Sequence, residues 1–169
     1  MLQCFYPDSY QDSAYSIDYE KLRMQGYEAI IYDIDNTLVC HGAPADERSM
    51  ALIERLKGLG FSIMLLSNNK ELRVNDQVHV SYIYKAGKPN PKNYEAAMVR
   101  MGSNRKNTVF IGDQIFTDIW GAKKAGIYSI LVKPIDKKEE IQIVLKRYLE
   151  KPILYFYQKK VRKEKNGCR

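Results

Sequence analysis

Asp33-Ile34-Asp35-Asn36-Thr37 places two carboxylates two residues apart at the end of an apolar run, Ala29-Ile30-Ile31-Tyr32. Side chains on an extended strand alternate faces, so acids at 33 and 35 point the same way. Burying a carboxylate is costly unless it is paired or coordinates a cation, which suits this pair to chemistry better than to structure. Three more polar clusters follow apolar runs: Ser67-Asn68-Asn69, Gly87-Lys88-Pro89, and Gly112-Asp113-Gln114-Ile115-Phe116-Thr117-Asp118. Where a strand gives way to a helix, backbone N–H groups and the positive helix end favour an anion. Acids, a hydroxyl donor, a lysine and a final acid pair at such junctions suit a phosphate group bound with a divalent cation.

The elements that must hold these residues alternate from Glu28 onward. Apolar runs give strands over 28–35, 61–67, 80–84, 107–112 and 127–132, with helices near 46–58, 70–78, 91–101, 115–125 and 137–150. Met50, Ile53, Leu56 and Leu59 are spaced for one helical face. Asn90-Pro91 reads as a cap followed by proline at the first helical position, and Gly102 and Gly126 read as helix stops. Upstream, Asp18 caps a short helix reaching Gln25, with Gly26 as its stop. Such alternation implies a parallel sheet with right-handed crossovers, hence an α/β, doubly wound, three-layer Rossmann-like domain. Ligands of such open sheets bind at the carboxyl ends of the strands, where all four polar clusters fall.

Composition sets the outer bounds. The 169 residues fit one domain with a real core, and 45% hydrophobic with 28% charged residues is ordinary for a soluble protein. No apolar stretch approaches the roughly 18 residues of a membrane span, and Met1 to Pro7 lacks the basic start and long apolar stretch of a signal peptide. Cys4, Cys40 and Cys168 are widely spaced, which fits a reducing compartment and makes the cytoplasm the expected location. Of the net charge of +7, a balance of +5 lies between Phe156 and Arg169, so the basicity belongs to the tail. The expected division is a single domain over 1–152, including an N-terminal arm over 1–27, and an aromatic-basic tail over 153–169.

Other chemistries lack their signatures. Gly58-Leu59-Gly60 follows a helix and precedes a strand, the reverse of a dinucleotide-binding turn. No Gly-x-x-x-x-Gly-Lys-Ser/Thr and no Gly-x-Ser-x-Gly occurs. Cys40-His41 lacks a Cys-x-x-Cys partner and reads as a loop beside the site.

Asp-x-Asp-x-Thr, then Ser-Asn, then Lys-Pro, then Gly-Asp-x-x-x-x-Asp resembles the four motifs of the haloacid dehalogenase (HAD) superfamily. The variants Asp-Ile-Asp-Asn-Thr-Leu-Val and Gly-Asp-Gln-x-x-Thr-Asp resemble its class IIIA phosphatases, the YqeG family and mitochondrial-type phosphatidylglycerophosphatases. Pro7-Asp8-Ser9-Tyr10 and Ile17-Asp18-Tyr19-Glu20-Lys21-Leu22 extend that similarity, which covers about residues 5–150. The resemblance implies Asp33 as nucleophile, forming an aspartyl-phosphate, and Asp35 as general acid and then base. It implies Mg²⁺ held by Asp33, the Asp35 carbonyl and Asp113, with Asp118 behind them or acting through water. The same resemblance implies that Ser67 and Asn68, helped by Thr37, bind phosphoryl oxygens and that Lys88 neutralises developing charge. Lys85 is the rival to Lys88, and the Lys-Pro match favours Lys88.

Family caps enter after the first motif or between the second and third, and both gaps are filled here by the elements of the sheet. No sizeable cap domain is therefore expected. An open site suits a lipid phosphate such as phosphatidylglycerophosphate; a soluble nucleotide, sugar or protein substrate is the alternative. A non-catalytic phosphate-sensing or docking module is the rival from another class. For the tail two readings stand, a solvated segment or a peripheral contact with an anionic membrane through Ile153-Leu154-Tyr155-Phe156-Tyr157 and the lysines behind it. No nucleic-acid motif supports a nucleic-acid partner.

Overall fold

The computed structural model describes residues 2–69, 80–136 and 141–167. Six parallel strands form one sheet: β1 (Ser9–Gln11), β2 (Ala29–Tyr32), β3 (Ser62–Leu66), β4 (Ser81–Ile83), β5 (Thr108–Gly112) and β6 (Tyr128–Val132). Their spatial order is β1-β6-β5-β2-β3-β4. The chain leaves β2 toward β3 and β4, then returns to the other side of β2 as β5. The crevice between β2 and β5 is thus a topological switch point, the usual ligand position in open α/β sheets.

Alternation along the strands makes the three layers. Ile30, Tyr32, Ile63, Leu65, Val109 and Ile111 face α2 (Glu47–Gly58) through Leu52, Ile53 and Leu56. Their neighbours Ile31, Met64, Leu66 and Phe110 face the opposite layer, with Tyr94, Ala97 and Met98 of α3 (Lys92–Arg100) and Ala122 and Ala125 of α4 (Trp120–Ala125). Both faces of the central strands are buried, which is why they read as continuous apolar runs. Met50 and Leu59 of the expected helical face are half-buried against the first layer.

Local signals act largely as read. Asp18 accepts from Lys21 N–H at 2.9 Å and caps α1 (Tyr19–Met24). Asp46 and Ser49 also close a reciprocal capping box on α2, which the sequence reading did not include. Asn90 accepts from Lys92 N–H at 3.1 Å, one residue earlier than a cap followed by proline would place it, and Pro91 is the residue before the helix.

Three features go beyond the sequence reading. The stretch Ser9–Gln11 is an edge strand paired with β6, anchored by Asp8, which accepts from Ser129 N–H at 2.8 Å and Oγ at 2.9 Å. A π-helical turn over Ile115–Ile119 precedes α4. The last helix, α5 (Ile141–Gly167), runs through Pro152, so the compositional break there is not a break in the helix. The helix expected over 70–78 lies outside the described residues, as does Cys168. Among the described residues no cap domain covers the site, and no helix is long and apolar enough to cross a membrane.

Candidate active site

β2 stops at Tyr32, three residues short of the expected end, and Asp33 extends its pairing by donating N–H to the Ile111 carbonyl at 2.9 Å. The chain then turns through Asn36, whose φ of 59° is left-handed, a region asparagine tolerates better than most residues. Asp33 and Asp35 therefore belong to a loop rather than a strand, yet both line one cavity of about 190 Å³. Ser67, Asn68 and Lys88 line it too.

The acids divide into two groups. Asp33, Asp113 and Asp118 are buried, each offering an oxygen within 4.8 Å of the others. The Asp35 carboxylate stands apart from this cluster. It accepts from Asn69 Nδ2 at 2.6 Å and Gly42 N–H at 2.8 Å, with His41 Nδ1 at 3.5 Å.

Lys88 ties the cluster together. Its Nζ is 2.5 Å from Asp33 Oδ1 and 2.7 Å from Asp118 Oδ1. Burial alone would lower its pKa, but Asp118 and then Asp33 outweigh that and raise it above the ordinary lysine range. Lys85, by contrast, is exposed. The Asn68 carboxamide holds the Lys88 main chain at both ends, accepting from its N–H at 2.7 Å and donating to its carbonyl at 3.2 Å. Ser67 Oγ accepts from Asn69 N–H at 3.1 Å, and Thr37 Oγ1 lies 3.4 Å from Asp113 Oδ1.

Asp118 is set by its surroundings. Its Oδ2 accepts from Gln114 N–H at 3.0 Å, and Tyr94 donates to the Thr117 carbonyl at 3.0 Å. Gly112 must be glycine here, because a Cβ would stand 2.7 Å from the Asp118 side chain. The π turn swings Asp118 inward over that bare backbone, and such turns are frequent at functional sites.

The electrostatics fit a divalent cation. Burial, relieved in part by Lys88 and reinforced by repulsion from Asp118, pushes Asp33 up to about 7. Burial and repulsion from Asp118 and Asp33 push Asp113 well above the carboxylate range, although Arg147 pulls the other way. Among the described residues, the buried carboxylates Asp33, Asp113 and Asp118 face Lys88 and Arg147, and Arg147 is shared with the buried Glu150. A hard cation with oxygen ligands would relieve that excess.

Reasoning from the motifs missed one wall of the site. Arg147 on α5 pairs with the Asp113 carboxylate and donates to the Asp113 carbonyl. Glu150 accepts from Ile115 N–H at 2.7 Å and from Arg147 at 3.1 Å. Gln142, Ile143 and Lys146, one turn earlier, line the cavity. The Arg147-x-x-Glu150 spacing on an expected helix was a visible signal, but nothing local tied it to Asp113.

Comparison with known proteins identifies the arrangement. A family model described as HAD-hydrolase-like matches residues 85–141. A probable phosphatase, YqeG of Bacillus subtilis, is 34% identical over 160 residues, covering 92% of this chain and 93% of that protein. The chain belongs to the HAD-like phosphatases, in the YqeG family. Another relative, the chloroplastic/mitochondrial phosphatidylglycerophosphate phosphatase 1 of Arabidopsis thaliana, is 28% identical and matches 80% of this chain but 45% of its own length. Among solved structures, NagD of E. coli aligns with a TM-score of 0.54 at 15% identity, over 70% of this chain and 91% of its own. The cobalt-bound YrbI phosphatase of Haemophilus influenzae aligns at 0.51 and 16% identity, over 65% and 70%. Those two likenesses carry the fold alone. As a HAD-like phosphatase, the chain acts on a phosphorylated substrate.

Proposed function

We propose that this phosphatase is a Mg²⁺-dependent phosphomonoester hydrolase working through an aspartyl-phosphate, with a lipid phosphate of the phosphatidylglycerophosphate type as substrate. The observation that carries the reading is Lys88, held between Asp33 and Asp118 beside Asp113, with a polar cavity open in front. Mg²⁺, held by Asp33, Asp113 and the Asp35 carbonyl with Asp118 behind them, would supply charge neutralisation to the phosphoryl oxygens.

The residues divide the work. Lys88 holds one oxygen of Asp33, leaving the other to attack phosphorus as the bond to the leaving oxygen breaks. Asp35 is the general acid, giving a proton to that leaving oxygen. It then takes a proton from water, which attacks phosphorus and breaks the bond to Asp33, releasing inorganic phosphate. Ser67 Oγ–H and the second N–H of the Asn68 carboxamide are donors for phosphoryl oxygens, and Thr37 links the two acid loops. Lys88 offsets the charge that grows in the transition state.

Three observations support a lipid. The Arabidopsis relative is named for that substrate, and no cap domain restricts access among the described residues. On α5, Ile141, Leu145, Tyr148, Leu149, Tyr155 and Phe156 are exposed, ahead of Lys159, Lys160, Arg162 and Lys163. An apolar helical face ending in a basic cluster suits peripheral contact with an anionic membrane.

The deciding experiment is phosphate release from phosphatidylglycerophosphate in mixed micelles with Mg²⁺, run beside soluble phosphomonoesters and an Asp33→Asn blank. Mg²⁺-dependent turnover of the lipid is the expected result. Turnover of soluble esters alone would discard the lipid and keep the mechanism. Activity that survives Asp33→Asn would discard the mechanism.

A further inference from the structure

We infer that the start of α5 forms a second anion subsite, in which Lys146 binds a negative group on the alcohol side of the substrate. The inference rests on the cavity being the phosphomonoester site and extends it to the leaving group. The substrate class it names is a phosphomonoester whose alcohol carries a second phosphate or similar anion a few atoms from the scissile oxygen.

The cavity begins at Asp33 and Lys88 and is closed on another side by Gln142, Ile143 and Lys146. Residues 142 and 146 are four apart, so their side chains lie on one face of the helix, one turn from each other. The helix is fixed in this position by three contacts further along. Arg147 holds the Asp113 carbonyl, Glu150 accepts from Ile115 N–H, and Ile153 is buried with Ile115, Ile119 and Leu131. Gln142 and Lys146 therefore stand on a rigid wall rather than on a mobile loop.

Charge accounting then singles out Lys146. Lys88 is committed to Asp33 and Asp118, and Arg147 to Asp113. Lys146 lines the same cavity and, among the described residues, has no ion-pair partner. The phosphoryl group is served by the cluster at the cavity floor, so a lysine at the rim has no part in the displacement. Its reach is toward whatever the phosphoryl group is attached to. Gln142, one turn before it, adds an amide donor for the same anion.

The test compares ligands that differ by one anion. Propane-1,3-diyl bisphosphonate and propylphosphonate are not hydrolysed, so calorimetric titration reads binding without turnover. The wild-type protein with Mg²⁺ should prefer the bisphosphonate about tenfold, the scale of a charge-assisted contact at a partly screened site. Lys146→Ala should reduce that preference to about twofold or less, and Lys146→Arg should retain most of it. In parallel, the kcat/KM ratio for propane-1,3-diol bisphosphate over the monophosphate should collapse in the alanine variant, mainly through KM. No wild-type preference, or a preference that survives Lys146→Ala, overturns the subsite. Failure to hydrolyse either ester counts against the proposed hydrolase, while the phosphonate titrations still decide Lys146.

Discussion

Arg147 reaches from the last helix to Asp113, 34 residues earlier, pairing with its carboxylate and donating to its carbonyl at 2.5 Å. Asp113 is fully enclosed, so it depends on that guanidinium for charge balance and orientation. Removing the guanidinium leaves the buried Asp113 carboxyl and its carbonyl without their donor, at a cost of about 1–3 kcal/mol. Arg147→Ala should lose stability on that scale in urea melts with chelator present. Arg147→Lys keeps the charge without the two-pronged fork and should recover part of the loss. Equal melts for all three proteins would mean that α5 does not support the acid loop.

The raised carboxylates give a pH dependence with a definite sign. Asp33 sits near 7 and Asp113 well above the carboxylate range, against about 3.9 in an unfolded chain. A carboxyl raised on folding favours the folded state while protonated, and that contribution is lost as pH rises from about 4 through 7. With chelator, the melting temperature should therefore fall between pH 5 and pH 8. Mg²⁺ replaces the lost compensation, so it should raise the melting temperature more at pH 8 than at pH 5. Asp113→Asn should flatten both trends. A chelated protein that melts higher at pH 8 would contradict the assignment.

How much of this was legible follows from range along the chain. The strands, the cap at Asp18 and the order of the acids depend on neighbours a few residues apart, which periodicity and turn chemistry report. The Asp33–Asp118 link through Lys88 was legible only as a resemblance, because spacing in the sequence gives no distance. β1 escaped notice because Ser9-Tyr10-Gln11 is short and half-buried, and pairs only through Asp8 and β6. The end of β2 was read three residues late because Ile34 continues its apolar run, whereas the turn at Asn36 overrides that pattern. The α5 wall was invisible for a related reason: Arg147 and Glu150 look like an ordinary surface pair until the fold brings Asp113 and Ile115 to them.

Gly112 offers a sharp check on how finely Asp118 is placed. A methyl group added there would stand 2.7 Å from the Asp118 side chain, inside any real contact distance. Gly112→Ala should therefore push Asp118 off Lys88 without disturbing the sheet. The expected cost is about 1–3 kcal/mol in stability and a fall in kcat on the order of a hundredfold, as for a displacement of roughly an ångström at a reacting centre. Circular dichroism and phosphate release on the same samples separate the two effects. Full activity in the alanine variant would show that Asp118 is not held to that tolerance.

The boundary of the folded unit can be located by shortening α5. Ile153 is buried against Ile115, Ile119 and Leu131, and Tyr157 packs edge-on against Tyr6 at 5.7 Å between ring centres. Beyond Gln158 the described side chains are exposed, apart from the half-buried Val161. A chain ending at Pro152 should lose the buried isoleucine, worth about 3 kcal/mol. For a protein of this size that corresponds to a melting temperature roughly 6–12 °C lower. A chain ending at Gln158 should melt within about 2 °C of the full protein, because its missing turns bury little. Equal melting of the 1–152 chain and the full chain would place the boundary where the composition changes and leave the remainder of α5 as a surface appendage.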